Sequence, residues 1–125
     1  GGSETVLLVE DDRAVRKLAR RVLESNGYHV LEAADPADAL LKVIPAHNAP
    51  IDLLVTDVVM PEMDGRELAD RVAALYPGIR TIFMSGYTED EVTRRGIAAD
   101  SALFLQKPFG PPDLTRSVRE MLDRG

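Results

Sequence analysis

With 125 residues, 45% hydrophobic and 29% charged, the chain is long enough for one domain with a real core, and neither a disordered nor a fibrous protein fits it. The absence of cysteine excludes disulfides and thiolate metal sites and is compatible with a reducing cytoplasm, which is the expected location. Fifteen basic against twenty-one acidic side chains give a net charge of −6, which argues against direct nucleic-acid binding by the domain as a whole.

Gly1-Gly2-Ser3 reads as a vector-derived scar, which leaves a single expected domain over residues 4–124. Val6-Leu7-Leu8-Val9 is a continuous apolar run, the pattern of a central parallel strand covered on both faces. Val15, Leu18, Ala19, Val22 and Leu23 then recur at helical spacing, and Asn26-Gly27 ends that helix. Residues 28–33 read as a weaker second strand near an edge. Asp35-Pro36 supplies an N-cap and a first-turn proline for a second helix, with Ala37, Leu40, Leu41 and Ile44 as its buried stripe. Residues 45–50 read as a loop and residues 51–56 as a third strand. Met60-Pro61-Glu62-Met63-Asp64-Gly65 is turn-rich and leads into a third helix with Leu68, Val72, Leu75 and Tyr76 on its apolar face. Pro77-Gly78 precedes the fourth strand, residues 81–84. Thr88 and Glu91 have capping-box spacing for a short, charged fourth helix interrupted by Gly96. Leu103-Phe104-Leu105 is a fifth strand, and Pro111-Pro112 opens a last helix carrying Leu114, Val118, Met121 and Leu122. No apolar run approaches the roughly 20 residues that span a bilayer, so membrane insertion is not expected.

Strict alternation of strands and helices implies an α/β fold, a parallel sheet with helices on both faces. Ligands of such sheets sit at the carboxyl ends of the strands. There the sequence places Glu10-Asp11-Asp12 after the first strand, Asp57 after the third, Ser85 after the fourth and Lys107-Pro108 after the fifth. Taken singly, each has a plain structural explanation: Asp57 a turn acid, Ser85 a turn opener, Lys107 a solvated lysine. Together they form a chemical set. Carboxylates converging on one crevice repel each other by on the order of 4 kcal/mol per pair at ~4 Å and an effective dielectric near 20. A cation relieves that repulsion, and an all-oxygen donor set without His or Cys selects a hard ion such as Mg²⁺. The ion and a lysine would balance an incoming phosphoryl group, a serine hydroxyl would complete its hydrogen bonding, and one carboxylate could act as nucleophile.

Four segments carry a family resemblance: Val9-Glu10-Asp11-Asp12, residues 56–65, Phe83-Met84-Ser85-Gly86 and residues 104–109, Phe-Leu-Gln-Lys-Pro-Phe. With them the chain resembles the response-regulator receiver domain of two-component systems, over nearly its whole length. The resemblance implies a flavodoxin-like, doubly wound five-stranded (βα)5 sheet with strand order 2-1-3-4-5. It implies that Asp57 is the phosphoacceptor and that Asp57 and Asp11 bind Mg²⁺ directly. Glu10 would reach the ion through water, and the Val59 backbone carbonyl would be a further ligand. Val15 as the first buried helix position selects Glu10 and Asp11 from the three acids, leaving Asp12 as a helix N-terminal acid. Ser85 would bond the phosphoryl group and Lys107 would pair with the Asp57 site, with a cis Lys107-Pro108 bond. Phe104 occupies the aromatic switch position, where similar receivers often carry tyrosine; core packing is its plainer role. Val59 and Tyr87 flank the path of hydrolytic water in similar receivers and imply a long-lived phosphorylated state.

The implied partner is a sensor histidine kinase or a histidine phosphotransfer domain, with room for a weak dimer. Segments 57–68 and 83–88 resemble receivers fused to hybrid histidine kinases. Arg16, Lys17, Arg20 and Arg21 form a basic strip that reads either as a solvated helix face or as a docking surface for the phosphodonor. His29 and His47 are expected to be exposed and away from the crevice. Three other readings compete. A haloacid-dehalogenase-like phosphatase wants its nucleophile at the end of the first strand, with a second aspartate two residues on. A flavin carrier wants a glycine- and hydroxyl-rich loop where three acids stand. A receiver that is never phosphorylated and serves only protein contacts does not need the full acid, serine and lysine set.

Overall fold

The computed structural model describes residues 3–47, 49–60, 63–85 and 102–123. Strands β1 (Thr5–Val9), β2 (His29–Ala33), β3 (Leu53–Asp57), β4 (Arg80–Ser85) and β5 (Ala102–Gln106) form one parallel sheet in the order β2-β1-β3-β4-β5. This is the expected order, with β2 at an edge. Among the described helices, α1 is Arg13–Ser25, α2 covers 36–46, α3 is Gly65–Leu75 and α4 is Pro111–Asp123.

Period-two alternation of apolar side chains explains why both faces are covered. From β1, Val6 and Leu8 join the core shared with Ala19 and Leu23 of α1 and Leu114, Val118 and Met121 of α4. Leu7 and Val9 join the opposite core, with Ala39 and Ile44 of α2 and Leu68 and Val72 of α3. All four β1 side chains are fully buried, which accounts for the uninterrupted apolar run.

Three helical faces differ from the sequence expectation. In α2 the buried stripe is Pro36, Ala39 and Ile44, with Leu40 and Val43 packed against it; Ala37 is exposed and Leu41 is 75% exposed. The middle of this segment, Ala39–Val43, is a wide π turn in which the Ile44 N–H reaches back to the Ala39 carbonyl. Pro45 follows at once, inside a helix that continues through Ala46 rather than in a loop. A proline there can give no bond to the preceding turn and its ring crowds that turn's carbonyl, and the wider turn accommodates it. Leu18 and Leu75, expected on buried faces, are 42% and 56% exposed. His29 is exposed as expected, whereas His47 is partly buried and stacks on it with ring centroids 6.0 Å apart.

The expected fourth helix with Thr88, Glu91 and Gly96, together with Tyr87, lies outside the described residues, as do Pro61 and Glu62. Among the described residues, no helix is long and apolar enough to cross a membrane.

Strand register brings the site residues level. Val9 pairs with Thr56, Asp57 with Met84 and Ser85 with Gln106. Glu10, Asp57, Ser85 and Lys107 therefore emerge side by side at one rim of the sheet.

Candidate functional site

Each acid is placed by the chain around it. Glu10 continues β1, its N–H donating to the Ala33 carbonyl of β2 at 3.2 Å, and its side chain is fully buried. Asp12 caps α1, accepting from the N–H groups of Ala14 at 2.9 Å and Val15 at 3.1 Å, so it belongs to the helix start. That leaves Asp11, exposed between the strand and the cap, free to face the rim.

Asp57 is the last residue of β3. The Val58 N–H donates to the Met84 carbonyl at 3.0 Å, and the buried Thr56 hydroxyl donates to the Asp57 carbonyl at 3.1 Å. Asp64 caps α3 through the Glu67 N–H at 2.8 Å, and the Gly65 N–H donates to the Val58 carbonyl at 2.7 Å. This folds the start of α3 directly against the Asp57 carbonyl. A Cβ on Gly65 would lie 2.2 Å from that oxygen. Glycine is required by the close approach.

One carboxylate oxygen from each of Glu10, Asp11 and Asp57 lies within 4.8 Å of the others. Lys107 stands among them, its Nζ 2.5 Å from Glu10 Oε1 and 3.2 Å from Asp57 Oδ2. The Lys107 N–H donates to the Ser85 carbonyl at 2.8 Å, so β4 positions the lysine through its backbone. The Lys107–Pro108 peptide bond is cis, as the resemblance implied.

With all groups ionised, three carboxylates against one ammonium would leave this quartet two negative charges in excess. Burial, opposed by Lys107 and reinforced by the Asp57 charge, pushes the Glu10 carboxyl up to about 7. Burial works against the Lys107 ammonium, but Glu10 and Asp57 more than offset it and hold the lysine above its ordinary value. Glu10 Oε2 is buried and has no hydrogen-bond partner among the described residues. An orphaned buried oxygen, a carboxyl that resists ionising beside its neighbours and an all-oxygen donor set fit a hard divalent cation. Glu10, Asp11 and Asp57 are the residues that could hold it.

The remaining expected residues sit nearby in different ways. Ser85 is buried at the end of β4. Phe104 is partly buried and stacks on Phe83 with centroids 5.7 Å apart, so it lies inward beneath the rim. Val59 is 43% exposed just beyond Asp57. Met60 and Met84 are buried and Met63 is partly buried against the core, as their expected packing role requires.

Two residues that position the site were not singled out as such in the sequence. Gly65 looked like an ordinary turn residue. Arg16 was grouped with the basic strip, yet its Nη1 donates to the Glu10 backbone carbonyl at 2.7 Å and its side chain is only 14% exposed. Arg20, one turn further on, pairs with Glu24 at 3.2 Å and Glu32 at 2.6 Å. The strip is therefore not a uniform solvated face.

A family model described as the response regulator receiver domain matches residues 6–119. A sensor kinase, CckA, of Brucella abortus (strain 2308) is 46% identical over 124 residues, covering 98% of this chain but only 13% of that kinase. The response regulator receiver protein CpdR of the same organism is 37% identical over 117 residues, covering 94% of this chain and 95% of its own length. Among solved structures, the receiver domain from the hybrid histidine kinase CckA superposes with a TM-score of 0.78 at 35% identity, covering 95% of this chain and 99% of that one.

Proposed function

Because the chain belongs to the response regulator receiver domain family of two-component signalling, we propose that Asp57 accepts a phosphoryl group from a phosphohistidine. The donor is a sensor histidine kinase or a histidine phosphotransfer domain. The observation that carries this reading is the convergence of Glu10, Asp11, Asp57 and Lys107 at one rim of the sheet. The 46% identity to a sensor kinase favours a receiver module of a hybrid histidine kinase as the parent protein.

Asp11 and Asp57 would hold Mg²⁺, assisted by Glu10 and the Val59 backbone carbonyl. The bound ion supplies charge neutralisation for the phosphoryl oxygens. The chain's own residues do the rest. Lys107 grips Asp57 Oδ2 and so fixes the rotation of the nucleophilic carboxylate. A carboxylate oxygen of Asp57 attacks phosphorus; an O–P bond forms and the P–N bond to the donor imidazole breaks. The electron pair of that bond passes to the ring nitrogen, and a proton already on the other nitrogen leaves the imidazole neutral. Lys107 then faces the phosphoryl oxygens, and the Ser85 hydroxyl donates to one of them. Positioning and electrostatics supply the acceleration, since the reaction asks little covalent chemistry of the protein. Drawing Ser85 toward the phosphoryl group vacates space beneath the rim, into which Phe104 moves further.

Intact mass after incubation with acetyl phosphate and Mg²⁺ tests the proposal. Wild type gains about 80 Da, one phosphoryl group, and Asp57→Asn gains nothing. An adduct that persists in Asp57→Asn, or that forms equally well with Mg²⁺ chelated, would overturn it.

A further inference from the structure

Resting on the reading that the acid cluster holds a divalent cation, we propose that Arg16 is a positioning residue for that site, holding the β1–α1 acidic loop from behind. Its guanidinium reaches out of α1 to the Glu10 backbone carbonyl at 2.7 Å, a charge-assisted bond from a largely buried side chain. That carbonyl lies between the two acids at issue, since the peptide bond following it leads to Asp11. Fixing the carbonyl fixes the peptide plane from which the Asp11 carboxylate projects and the backbone from which Glu10 enters the interior. Among the described residues the other ties on this loop are the Glu10 N–H to the Ala33 carbonyl, Lys107 on the Glu10 side chain and the Asp12 cap at the start of α1. Of all these ties only the Arg16 bond is made to the carbonyl between the two acids. Glu32 on β2 steadies the guanidinium from its other side, its Oε1 3.7 Å from Arg16 Nε.

Charge and position predict opposite signs here. A guanidinium near a cation site repels the cation, so a residue acting only through its charge would, when neutralised, tighten Mg²⁺ binding. A residue that orients ligands would, when removed, weaken it, and loss of such an orienting partner costs about tenfold in metal affinity. Arg20 is the internal control. It shares Glu32 with Arg16 and carries the same charge, but among the described residues its bonds go to Glu24 and Glu32 and not to the acidic loop.

The experiment is an NMR titration of amide shifts with MgCl₂ on wild type, Arg16→Met, Arg16→Gln and Arg20→Gln, alongside melting of each without metal. Arg16→Met retains an apolar stem where the partly buried arginine packs, which protects the fold if Arg16→Gln proves unstable. The expected result is Mg²⁺ binding about tenfold weaker in the folded Arg16 variants and unchanged or tighter in Arg20→Gln. Equal or tighter binding in Arg16→Met, or matching weakening in Arg20→Gln, overturns the positioning role while leaving the metal site standing. A wild-type protein indifferent to Mg²⁺ overturns the metal site itself and this proposal with it.

Discussion

Replacing Gly65 by alanine sets two effects against each other, and the geometry decides between them. Gly65 is the first residue of α3, and at an ordinary helical position glycine to alanine stabilises by about 0.4–1 kcal/mol through the unfolded chain. Here the added Cβ would lie 2.2 Å from the Asp57 carbonyl oxygen and 3.1 Å from both the Asp57 carbonyl carbon and Val58 Cα. The closest of these is more than about 1.2 Å inside ordinary van der Waals contact. All three are backbone atoms, so no flexible side chain can swing aside; β3 and α3 must separate. Overpacking of this kind costs about 1–3 kcal/mol and outweighs that gain, so the expected net result is a loss of up to about 2.5 kcal/mol in urea unfolding. The displaced backbone is that of the proposed phosphoacceptor, and a misplacement near 1 Å lowers a positioned reaction on the order of 10²-fold. Phosphorylation by acetyl phosphate, followed by intact mass over time, should slow accordingly. A Gly65→Ala protein that is more stable than wild type and is phosphorylated at the wild-type rate would refute the reasoning.

Lys107→Met should leave the sheet intact but slow phosphorylation from acetyl phosphate by at least about tenfold, because the orienting contact to Asp57 Oδ2 is lost; an unchanged rate counts against the role given to Lys107. Leu54→Ala, at a fully buried position in β3, should cost about 2–5 kcal/mol in chemical denaturation, whereas Leu41→Gln should cost almost nothing because that side chain already stands in solvent; comparable losses would contradict the π-turn register of α2. Arg119 pairs with Glu4 at 2.9 Å and holds its carboxyl below the ordinary value of 4.5. A depressed carboxylate contributes stability above that ordinary value and loses it as pH falls through the lower, folded one. Melting curves of Glu4→Gln should therefore lie below wild type at neutral pH and merge with it in acid, and a constant offset across the range would be the wrong result. Val59→Asn, at the exposed position beyond Asp57, should shorten the phosphorylated half-life; an unaltered half-life removes Val59 from the control of water.

How far these features could be read from the sequence follows from the range of the interactions that set them. The β1 run is apolar at four successive positions because both faces of the sheet are covered, and that one-dimensional pattern survives without coordinates. The Asp35-Pro36 cap is a local hydrogen bond within a turn and was legible, and Asp12, placed at the start of the helix, proves to be its cap. In the α2 stripe Leu40 and Ile44 fall where the spacing put them, whereas Ala37 and Leu41 do not; Leu41 lies within the π turn before Pro45, and nothing in the apolar spacing announces that change of helical period. Leu18 and Leu75 were placed inside because helical spacing gives a direction but not the extent of the neighbouring surface. At the site, the acids, serine and lysine could be collected because each ends a recognisable strand. Gly65 and Arg16 could not, because their partners are backbone carbonyls of Asp57 and Glu10, and carbonyls leave no mark in a sequence.

That same distinction changes how a docking surface on α1 can be tested. Reversing charge at Arg16 is the obvious first experiment on the basic strip, but it would remove the bond to the Glu10 carbonyl at the same time. Slower transfer from a phosphohistidine protein would then follow from a disturbed acidic loop as readily as from weaker docking. Arg20 is also unsuitable, because Glu24 and Glu32 already engage it. Lys17 and Arg21 are exposed, and no hydrogen bond or ion pair among the described residues ties either to the acidic loop. Charge reversal at those two positions should slow transfer from a phosphohistidine protein, increasingly so at low salt, while leaving acetyl phosphate kinetics untouched. If both donors slow together, the strip acts through the site and not as a surface for the partner.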